Sequence, residues 1–140
     1  MPGFALSGRA AAPVEDVWKL LFDPTRFPEW WYGFETVDAE ESDGSDTRRY
    51  AYVHRDHPGV PIPQVVRGDR GRGRVTVSCQ VSDVDVTWQL AADDRGTRIE
   101  VRVELAAAEA HREPALRTMM TRSLASLAAV AAAEAPAAPP

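Results

Sequence analysis

Side chains that could move protons or ligate a metal are few in this chain, and they lie apart along it. The histidines are His54, His57 and His111. The first two stand beside prolines and lack the i,i+4 spacing by which helical histidines share a metal, so no metal site is expected. His54 is a candidate general base, provided that it shares a face with Tyr50 and Tyr52 and that this face points inward. The alternative is an ordinary loop histidine at a strand end.

The other polar motifs favour structural roles. Cys79 is the only cysteine, which excludes an intrachain disulfide and suits a small apolar strand residue better than a nucleophile. The basic run from Arg67 to Arg74 is short and interrupted by glycines, so a solvated hairpin loop is favoured over an anion site. No glycine-rich motif follows a strand and opens a helix. We therefore expect no dinucleotide and no other cofactor.

Composition and charge narrow the class of protein. The chain has 140 residues, 44% of them hydrophobic, which suits one globular domain. We expect this domain to cover residues 1–134, with a disordered tail at 135–140. The net charge of -5 argues against nucleic-acid binding. With no signal peptide and no membrane-spanning apolar run, a cytoplasmic monomer or homodimer without a membrane partner is expected.

Alternating apolar and polar residues predict strands through the middle of the chain. The clearest segments run from Val75 to Val81, from Val84 to Leu90 and from Ile99 to Leu105. One face of each segment is polar or charged, which is typical of an antiparallel sheet with a single buried face. The proline-rich stretch 57–63 is expected to be a loop or an edge, because proline removes donors from the ladder.

Helical patterns stand on both sides of these strands. After a first helix near the N-terminus, a second and shorter one is expected near Pro28, carrying Trp30 and Trp31. An amphipathic helix is predicted from about Pro114 to Glu134. At 1.5 Å per residue it is roughly 30 Å long, enough to cross a small sheet.

The element order is strand, two helices, six strands and a long helix. It predicts an α+β fold in which a curved antiparallel sheet of about seven strands wraps around the C-terminal helix. The inward side of that helix is mostly Ala, Ser, Met and Leu, which leaves volume unfilled. Two interpretations stay open. The space is a ligand pocket with adaptable methionine walls, or it is filled by Trp18, Trp30, Trp88 and the tyrosines.

Three motifs resemble the START-related superfamily. They are Ala11-Ala12-Pro13-Val14-Glu15-Asp16-Val17-Trp18, Phe27-Pro28-Glu29-Trp30-Trp31 and Gly96-Thr97-Arg98-Ile99, ahead of a closing Leu/Ala helix. Over residues 4–134 the chain is most similar to the polyketide cyclase/dehydrase and lipid-transport group, which shares the plant pollen-allergen fold. The resemblance implies a helix-grip fold with a ligand cavity. It does not imply one activity, since the superfamily includes cyclases, lipid carriers, hormone receptors and antibiotic-sequestering proteins.

The resemblance also implies roles for particular residues. The segment Gln64 to Asp69 is similar to a strand that carries a cavity arginine in aromatase/cyclases, and Val86-Thr87-Trp88 to a strand with a cavity tryptophan. Arg67 would then anchor a ligand carbonyl or enolate, which would offset its desolvation; a surface residue at a strand end is the alternative. Phe34 stands where those cyclases tend to have a tyrosine. This departure removes a proton donor and weakens the case for cyclase chemistry.

These arguments predict the residues of a cavity. The catalytic candidates are Arg67, Tyr52 and His54. The expected ligand-binding residues are Trp30, Phe34, Tyr50, Tyr52, Arg67, Cys79, Trp88, Met119, Met120 and Ser123.

Three functions are compatible with such a cavity. The first is binding of a small hydrophobic molecule, aromatic or polyketide-like. The second is polyketide aromatase/cyclase or dehydratase activity without metal or cofactor. The third is self-resistance, in which the protein sequesters a natural product such as an antibiotic. The lack of a recognisable acid–base constellation favours the first or the third.

Overall fold

The structure of the protein, a computed structural model, describes residues 3–135 and has the predicted element order. The strands are β1 (Gly3–Ala10), β2 (Phe34–Ala39), β3 (Thr47–His54), β4 (Pro61–Asp69), β5 (Arg74–Cys79), β6 (Val84–Asp93) and β7 (Gly96–Leu105). The helices are α1 (Val14–Phe22), α2 (Glu113–Glu134) and three 3₁₀ helices, Pro24–Glu29, Arg70–Arg72 and Ala107–Arg112. Apart from Ala135, the expected tail lies outside the described residues. Within the described part of the chain, no helix combines the length and hydropathy that crossing a bilayer requires.

All seven strands form one antiparallel sheet in the order β1-β7-β6-β5-β4-β3-β2. The longest ladder joins β6 to β7 and runs without a break from the pair Val84 and Leu105 to the pair Asp93 and Gly96. Alternate residues of β7 are buried and exposed along nearly its whole length, so one face of the sheet is apolar and the other wet. The predicted helix-grip architecture is confirmed: a curved seven-stranded sheet is closed by the long C-terminal helix.

Helix α2 crosses the apolar face of the sheet and is held at two places. Its buried residues share one side of the helix, and they are Leu116, Met120, Ser123, Leu124, Leu127 and Ala131. Leu124 packs against β1 at Gly8, where an added Cβ would lie only 3.2 Å from the leucine side chain. Near the C-terminal end, the guanidinium of Arg26 donates to the carboxylate of Glu134 at 2.6 Å. This ion pair joins α2 to the first 3₁₀ helix.

The second helix differs from its prediction. A 3₁₀ helix covers Pro24–Glu29, and Trp30 and Trp31 follow it instead of lying within it. It starts directly after α1, because the side chain of Asp23 accepts a hydrogen bond of 3.1 Å from the backbone N–H two residues on. The carbonyl of Phe27 then accepts the N–H groups of both tryptophans, at 3.1 and 2.7 Å. This tight turn directs both indoles into the core, where they are 2% and 3% exposed.

Two strand boundaries also differ from the prediction. Pro61 and Pro63 lie in β4 and pair with β3, so the loop alternative is wrong; the ladder to β5 begins only at Gln64, which fits the edge alternative for this end of the strand. The carbonyl of Pro63 points away from β3 and accepts the N–H of Gln80 at 3.0 Å. The carbonyl and the nitrogen of one strand residue point to the same side, so the proline nitrogens also face away from β3. The ladder between β3 and β4 therefore loses no N–H donor. Strand β5 ends at Cys79, which leaves Val81, expected in the strand, 66% exposed.

The contact between β4 and α1 predicts an effect of one substitution. A Cβ on Gly68 would lie 2.7 Å from the ring of Phe22 and 3.0 Å from that of Trp18, and packed aromatic rings cannot move aside freely. Gly68→Ala should therefore lower the free energy of unfolding by roughly 1–3 kcal/mol, measured by urea denaturation.

Gly71→Ala is the matched control. A Cβ on Gly71 would meet nothing closer than Asp69 at 3.8 Å, so a change within about 1 kcal/mol is expected. Equal destabilisation by the two substitutions would contradict the close approach of α1 to β4.

Candidate functional site

A cavity of about 610 Å³ lies between the sheet and the N-terminal half of α2. Its size falls within the range of small-molecule sites. The walls are predominantly apolar, and their apolar side chains include Trp31, Phe34, Val86, Val103, Leu116 and Met119. The cavity sits where β3, β5 and β7 end and where β2, β4 and β6 begin.

Aromatic rings fill the space beside the cavity. We call Phe27, Trp30, Trp31, Phe34, Tyr50 and Trp88 the aromatic cluster. Phe27 is fully buried, and its ring centroid lies 5.1 to 5.7 Å from those of Trp30, Trp31, Phe34 and Tyr50. Trp88 closes the cluster, 5.3 Å from Trp30. Both interpretations left open by the sequence therefore apply, because part of the concave face is packed with rings and part is open.

One edge of the aromatic cluster becomes a wall of the cavity. The ring of Phe34 stacks on that of Trp31 with centroids 4.8 Å apart. On its other side it stacks on Tyr52, with centroids 3.9 Å apart and ring planes within 7° of parallel. All three side chains line the cavity. Both faces of the Phe34 ring are therefore covered, and a ligand ring would meet the edges of a rigid aromatic stack here.

Gln64 provides hydrogen-bond donors in the cavity lining. It is 9% exposed, and it lies opposite Tyr50 on β3 and Cys79 on β5. The Tyr50 hydroxyl donates to Oε1 of Gln64, which fixes the orientation of the amide. Among residues 3–135, no group accepts a hydrogen bond from Nε2 of Gln64. Its two N–H donors are thus available to a ligand oxygen.

Tyr52 supplies a neutral hydroxyl. Burial raises its pKa to about 12, the nearby Cys79 acts in the same direction, and the charge of Arg112 opposes them. The hydroxyl therefore keeps its proton across the neutral range. It can donate a hydrogen bond to a carbonyl or phenol oxygen of a ligand, but it is a weak acid.

His54 lies on the inner face with Tyr50 and Tyr52 and lines the cavity. Its Nδ1 accepts the backbone N–H of Asp56 at 3.0 Å, so the neutral ring carries its proton on Nε2. Nε2 packs against Gly33, where a Cβ would lie 2.5 Å away and where φ is +96°, a value that favours glycine. The lone pair needed by a general base is already bound, and the ring offers a donor instead.

A chain of polar contacts runs from β5 to the helix start. The hydroxyl of Ser82 donates to Sγ of Cys79 at 3.3 Å. Arg112 donates to that hydroxyl at 3.5 Å and to the carboxylate of Glu109 at 3.0 Å. The charge of Arg112 is therefore compensated within the protein.

The structure brings together about half of the residues predicted to bind a ligand. Those that line the cavity are Phe34, Tyr52, Cys79, Met119 and Met120. Trp30, Tyr50 and Trp88 lie instead in the aromatic cluster, 4% exposed or less. Ser123 is fully buried beneath the cavity rim, where its hydroxyl accepts the backbone N–H of Tyr32 at 3.0 Å and donates to the carbonyl of Met119.

Arg67 requires a correction, because it does not face the cavity. Gln64 and the fully buried Val66 point inward, so the two-residue period of the strand turns Arg67 outward. It is exposed, between Thr47 on β3 and Thr76 on β5. The surface alternative describes its position, and no arginine of β4 stands inside the cavity.

Sequence reasoning missed Gln64, Trp31 and Arg112. Gln64 lies in the strand that was expected to carry the cavity arginine. Assigning the other alternating set of residues of this strand to the inner face would have identified Gln64. The parity was ambiguous because Val65 and Val66 are adjacent, apolar and both buried. Arg112 lies in a 3₁₀ helix that no hydrophobic periodicity in the sequence predicts.

Comparisons with known proteins agree with this architecture. A family model described as "Polyketide cyclase / dehydrase and lipid transport" matches residues 1–132. A solved structure from Chromobacterium violaceum is 20% identical with a TM-score of 0.71, and the match covers 94% of this chain and 99% of that one. A structure from Thermobifida fusca is 14% identical with a TM-score of 0.73, covering 99% of both chains.

The di-domain ARO/CYC StfQ from the steffimycin biosynthetic pathway also has a similar structure. It is 12% identical with a TM-score of 0.73, and the match covers 92% of this chain but 50% of StfQ. No curated protein shows significant sequence similarity. At these identities the structural matches establish a shared fold.

The environment of Tyr52 predicts how stability depends on pH. The pKa of Tyr52 is about 12 in the folded protein against an ordinary value of 10.0, so between these pH values the folded state binds more protons than the unfolded state. The free energy of unfolding should therefore fall as the pH rises above about 10. Between the two pKa values it falls by about 1.4 kcal/mol per pH unit, and below that interval this group makes no contribution to the pH dependence. Urea denaturation at a series of pH values across this interval measures the fall.

Tyr52→Phe keeps the ring and removes the ionisable group. The fall should be shallower in this variant than in the original protein. Identical pH dependence of the two would contradict the burial of the Tyr52 hydroxyl.

Proposed function

Because the chain belongs to the polyketide cyclase/dehydrase and lipid-transport family, we propose that it binds a small hydrophobic, aromatic or polyketide-like molecule in the cavity between the sheet and α2. The observation that carries the proposal is the cavity itself, about 610 Å³ with predominantly apolar walls and a few polar groups. The proposed role needs no cofactor, and we assign it to the cytoplasm.

The chemistry of the lining supports a ligand that has both rings and oxygen acceptors. The stacked rings of Trp31 and Phe34 present apolar ring edges, which suit edge-to-face contact with an aromatic body. The free amide N–H groups of Gln64 and the hydroxyl of Tyr52 would donate to ketone or phenol oxygens. Each neutral hydrogen bond of this kind contributes about 0.5–1.5 kcal/mol, so burial of the apolar body supplies most of the affinity and the donors set orientation.

Carriage and sequestration are two narrower forms of this role. Self-resistance by sequestering an antibiotic would require slow release. The cavity lining includes the exposed residues Thr118 and Arg122, so the mouth is open to solvent. An open mouth favours a carrier that exchanges its ligand over a permanent trap.

Cyclase or dehydratase activity is a second candidate, favoured by the neutral hydroxyl of Tyr52 beside the donors of Gln64. Both could hydrogen-bond to a ketone oxygen while an enol carbon of the same molecule attacks the carbonyl carbon, with the enol proton passing to solvent at the open mouth. The new bond joins two carbons of the ligand and the enol becomes a ketone. The attacked ketone oxygen, held by the two donors while it carries negative charge, takes a proton from solvent and becomes a hydroxyl. His54 does not supply the base, since its Nδ1 lone pair is bound to Asp56.

Filling the cavity should weaken binding without unfolding the protein. The probe is N-phenyl-1-naphthylamine, a neutral two-ring dye whose fluorescence rises in apolar surroundings. Val86→Phe combined with Met119→Trp places larger side chains on two walls and should weaken probe binding by about tenfold or more, since each displaced ring contact costs of the order of 1 kcal/mol.

The matched control for this experiment is Ala125→Trp, an exposed α2 position that does not line the cavity, and it should bind the dye as the original protein does. Circular dichroism checks the fold of each variant. Unchanged affinity in the double variant would overturn the proposed site, as would failure of the original protein to bind the dye.

Catalysis has a separate test. If Tyr52 stabilises the developing oxyanion, Tyr52→Phe should slow cyclisation of a linear poly-β-ketone thioester on the order of a hundredfold, judged by product formation under saturating substrate. Binding of the neutral dye should persist, because the ring of residue 52 remains. Equal rates with and without the hydroxyl would remove Tyr52 from the mechanism. Product formation no faster than in the absence of protein would leave binding as the function.

A further inference from the structure

The rim of the cavity holds two arginines around one tyrosine. The guanidinium carbon of Arg55 lies 4.8 Å from the ring centroid of Tyr32, and that of Arg122 lies 5.0 Å from the same centroid. Tyr32 and Arg122 both line the cavity. We call Tyr32, Arg55 and Arg122 the rim cluster.

The charges of the rim cluster are not compensated by the protein. Among residues 3–135, neither Arg55 nor Arg122 has a carboxylate within 4.0 Å, although most of the ion pairs of this chain do involve arginine. Arg112, the other cavity arginine, is paired with Glu109. Of the described residues that line the cavity, only Asp56 is acidic, and its carboxylate is 3.8 Å from the ring of His54.

Two uncompensated cations around one ring repel each other, and they lie within a Debye length. Cation–π contact with Tyr32 offsets part of this cost. The chain has a net charge of -5, yet none of its described acidic side chains neutralises this pair of arginines. An anion that contacts the guanidiniums at the rim would offset the repulsion.

Two residues of the rim cluster have backbone that is anchored by hydrogen bonds. The backbone N–H of Tyr32 donates to the fully buried hydroxyl of Ser123, at 3.0 Å. The backbone N–H of Arg55 donates to the carbonyl of Gly33 at 2.9 Å. Both side chains therefore start from anchored backbone, which lowers the entropy lost when they hold a ligand.

We propose that the rim cluster binds the anionic group of an amphiphilic ligand whose apolar body occupies the cavity. The ligand class is then an aromatic or aliphatic acid carrying a carboxylate, sulfonate or phosphate ester at one end. Arginine suits this task because its guanidinium presents planar, paired donors to such oxygens. The inference rests on the proposed function, and it adds the charge and orientation of the ligand: apolar end inward, anionic end at the rim.

A matched pair of dyes tests this charge preference. 8-Anilinonaphthalene-1-sulfonate is N-phenyl-1-naphthylamine with a sulfonate added, so the two share one apolar body. The original protein should bind the sulfonate more tightly than the neutral dye at low salt, and the advantage should shrink at high salt as the arginines are screened. Arg55→Gln and Arg122→Gln should each weaken sulfonate binding about threefold to tenfold and leave binding of the neutral dye unchanged.

Arg67→Gln is the matched control, since it removes one exposed arginine from the outer face of the sheet. It should change neither affinity. Equal binding of the two dyes, or a sulfonate preference that survives the double variant Arg55→Gln/Arg122→Gln, would overturn the inference. Equal loss of both dyes in the rim variants would also overturn it, by showing that the arginines act only through packing.

Competition experiments distinguish an amphiphilic ligand from a free anion at the rim. If inorganic sulfate displaces the sulfonate dye as effectively as dodecanoate does, the rim binds a free anion and the amphiphile is rejected. Stronger displacement by dodecanoate than by dodecanol and by inorganic sulfate supports the proposed ligand class. If the neutral dye does not bind at all, the proposed function fails, whatever the sulfonate does.

Discussion

The packing of rings around Phe27 is the constraint on which the rest of the structure depends. This side chain lies in a 3₁₀ helix, yet it is fully buried and contacts four other aromatic rings. Nε1 of Trp31 and of Trp88 is buried without a hydrogen-bond partner in the described part of the chain. Each buried N–H group without a partner destabilises the fold by about 1–3 kcal/mol. Burial of 150–250 Å² of a tryptophan, at about 25 cal/mol per Å², stabilises it by about 4–6 kcal/mol. Because the stabilisation from apolar burial exceeds this cost, the aromatic cluster is stable although two of its N–H donors have no partner.

The aromatic cluster decides where the cavity can be. It occupies the concave face beneath the 3₁₀ helix Pro24–Glu29, while Leu124 rests on Gly8 of β1 and Arg26 holds Glu134. Helix α2 is thereby kept at a fixed position over the sheet. The space under its first half is bounded by valines and methionines that do not reach across it, and a cavity remains.

The polar groups of the cavity are mostly donors. The amide of Gln64 has free N–H groups because Tyr50 holds its oxygen. Tyr52 keeps its proton because its hydroxyl is buried. His54 carries its proton on Nε2 because the backbone N–H of Asp56 binds Nδ1. Such a lining complements ligand oxygens and contains few groups that could abstract a proton. This arrangement suits binding directly, and its contribution to cyclase chemistry would be to stabilise negative charge on an oxygen that the ligand itself develops.

The amino-acid sequence by itself determined the element order, the antiparallel sheet with one buried face and the closing helix, because period-two and 3.6-residue patterns record which residues share a face. It also indicated Phe34, Tyr52, Cys79, Met119 and Met120, whose side chains do line the cavity. Periodicity cannot say which end of a buried face stays open. Trp30 and Trp88 were thus expected in the cavity but lie in the packed part, while the neighbouring Trp31 forms the wall.

Only the tertiary structure determines which residues of β4 face the cavity. Val65 and Val66 are both buried, the first on the outer face and the second on the inner, so the pattern could not show that Gln64 turns inward and Arg67 outward. The rim cluster was equally hidden, because Tyr32, Arg55 and Arg122 come from three separate parts of the chain. Local sequence encodes faces and turns. The meeting of distant side chains at one rim is set by how α2 contacts the turn that precedes β2, as in the hydrogen bond from Tyr32 to Ser123.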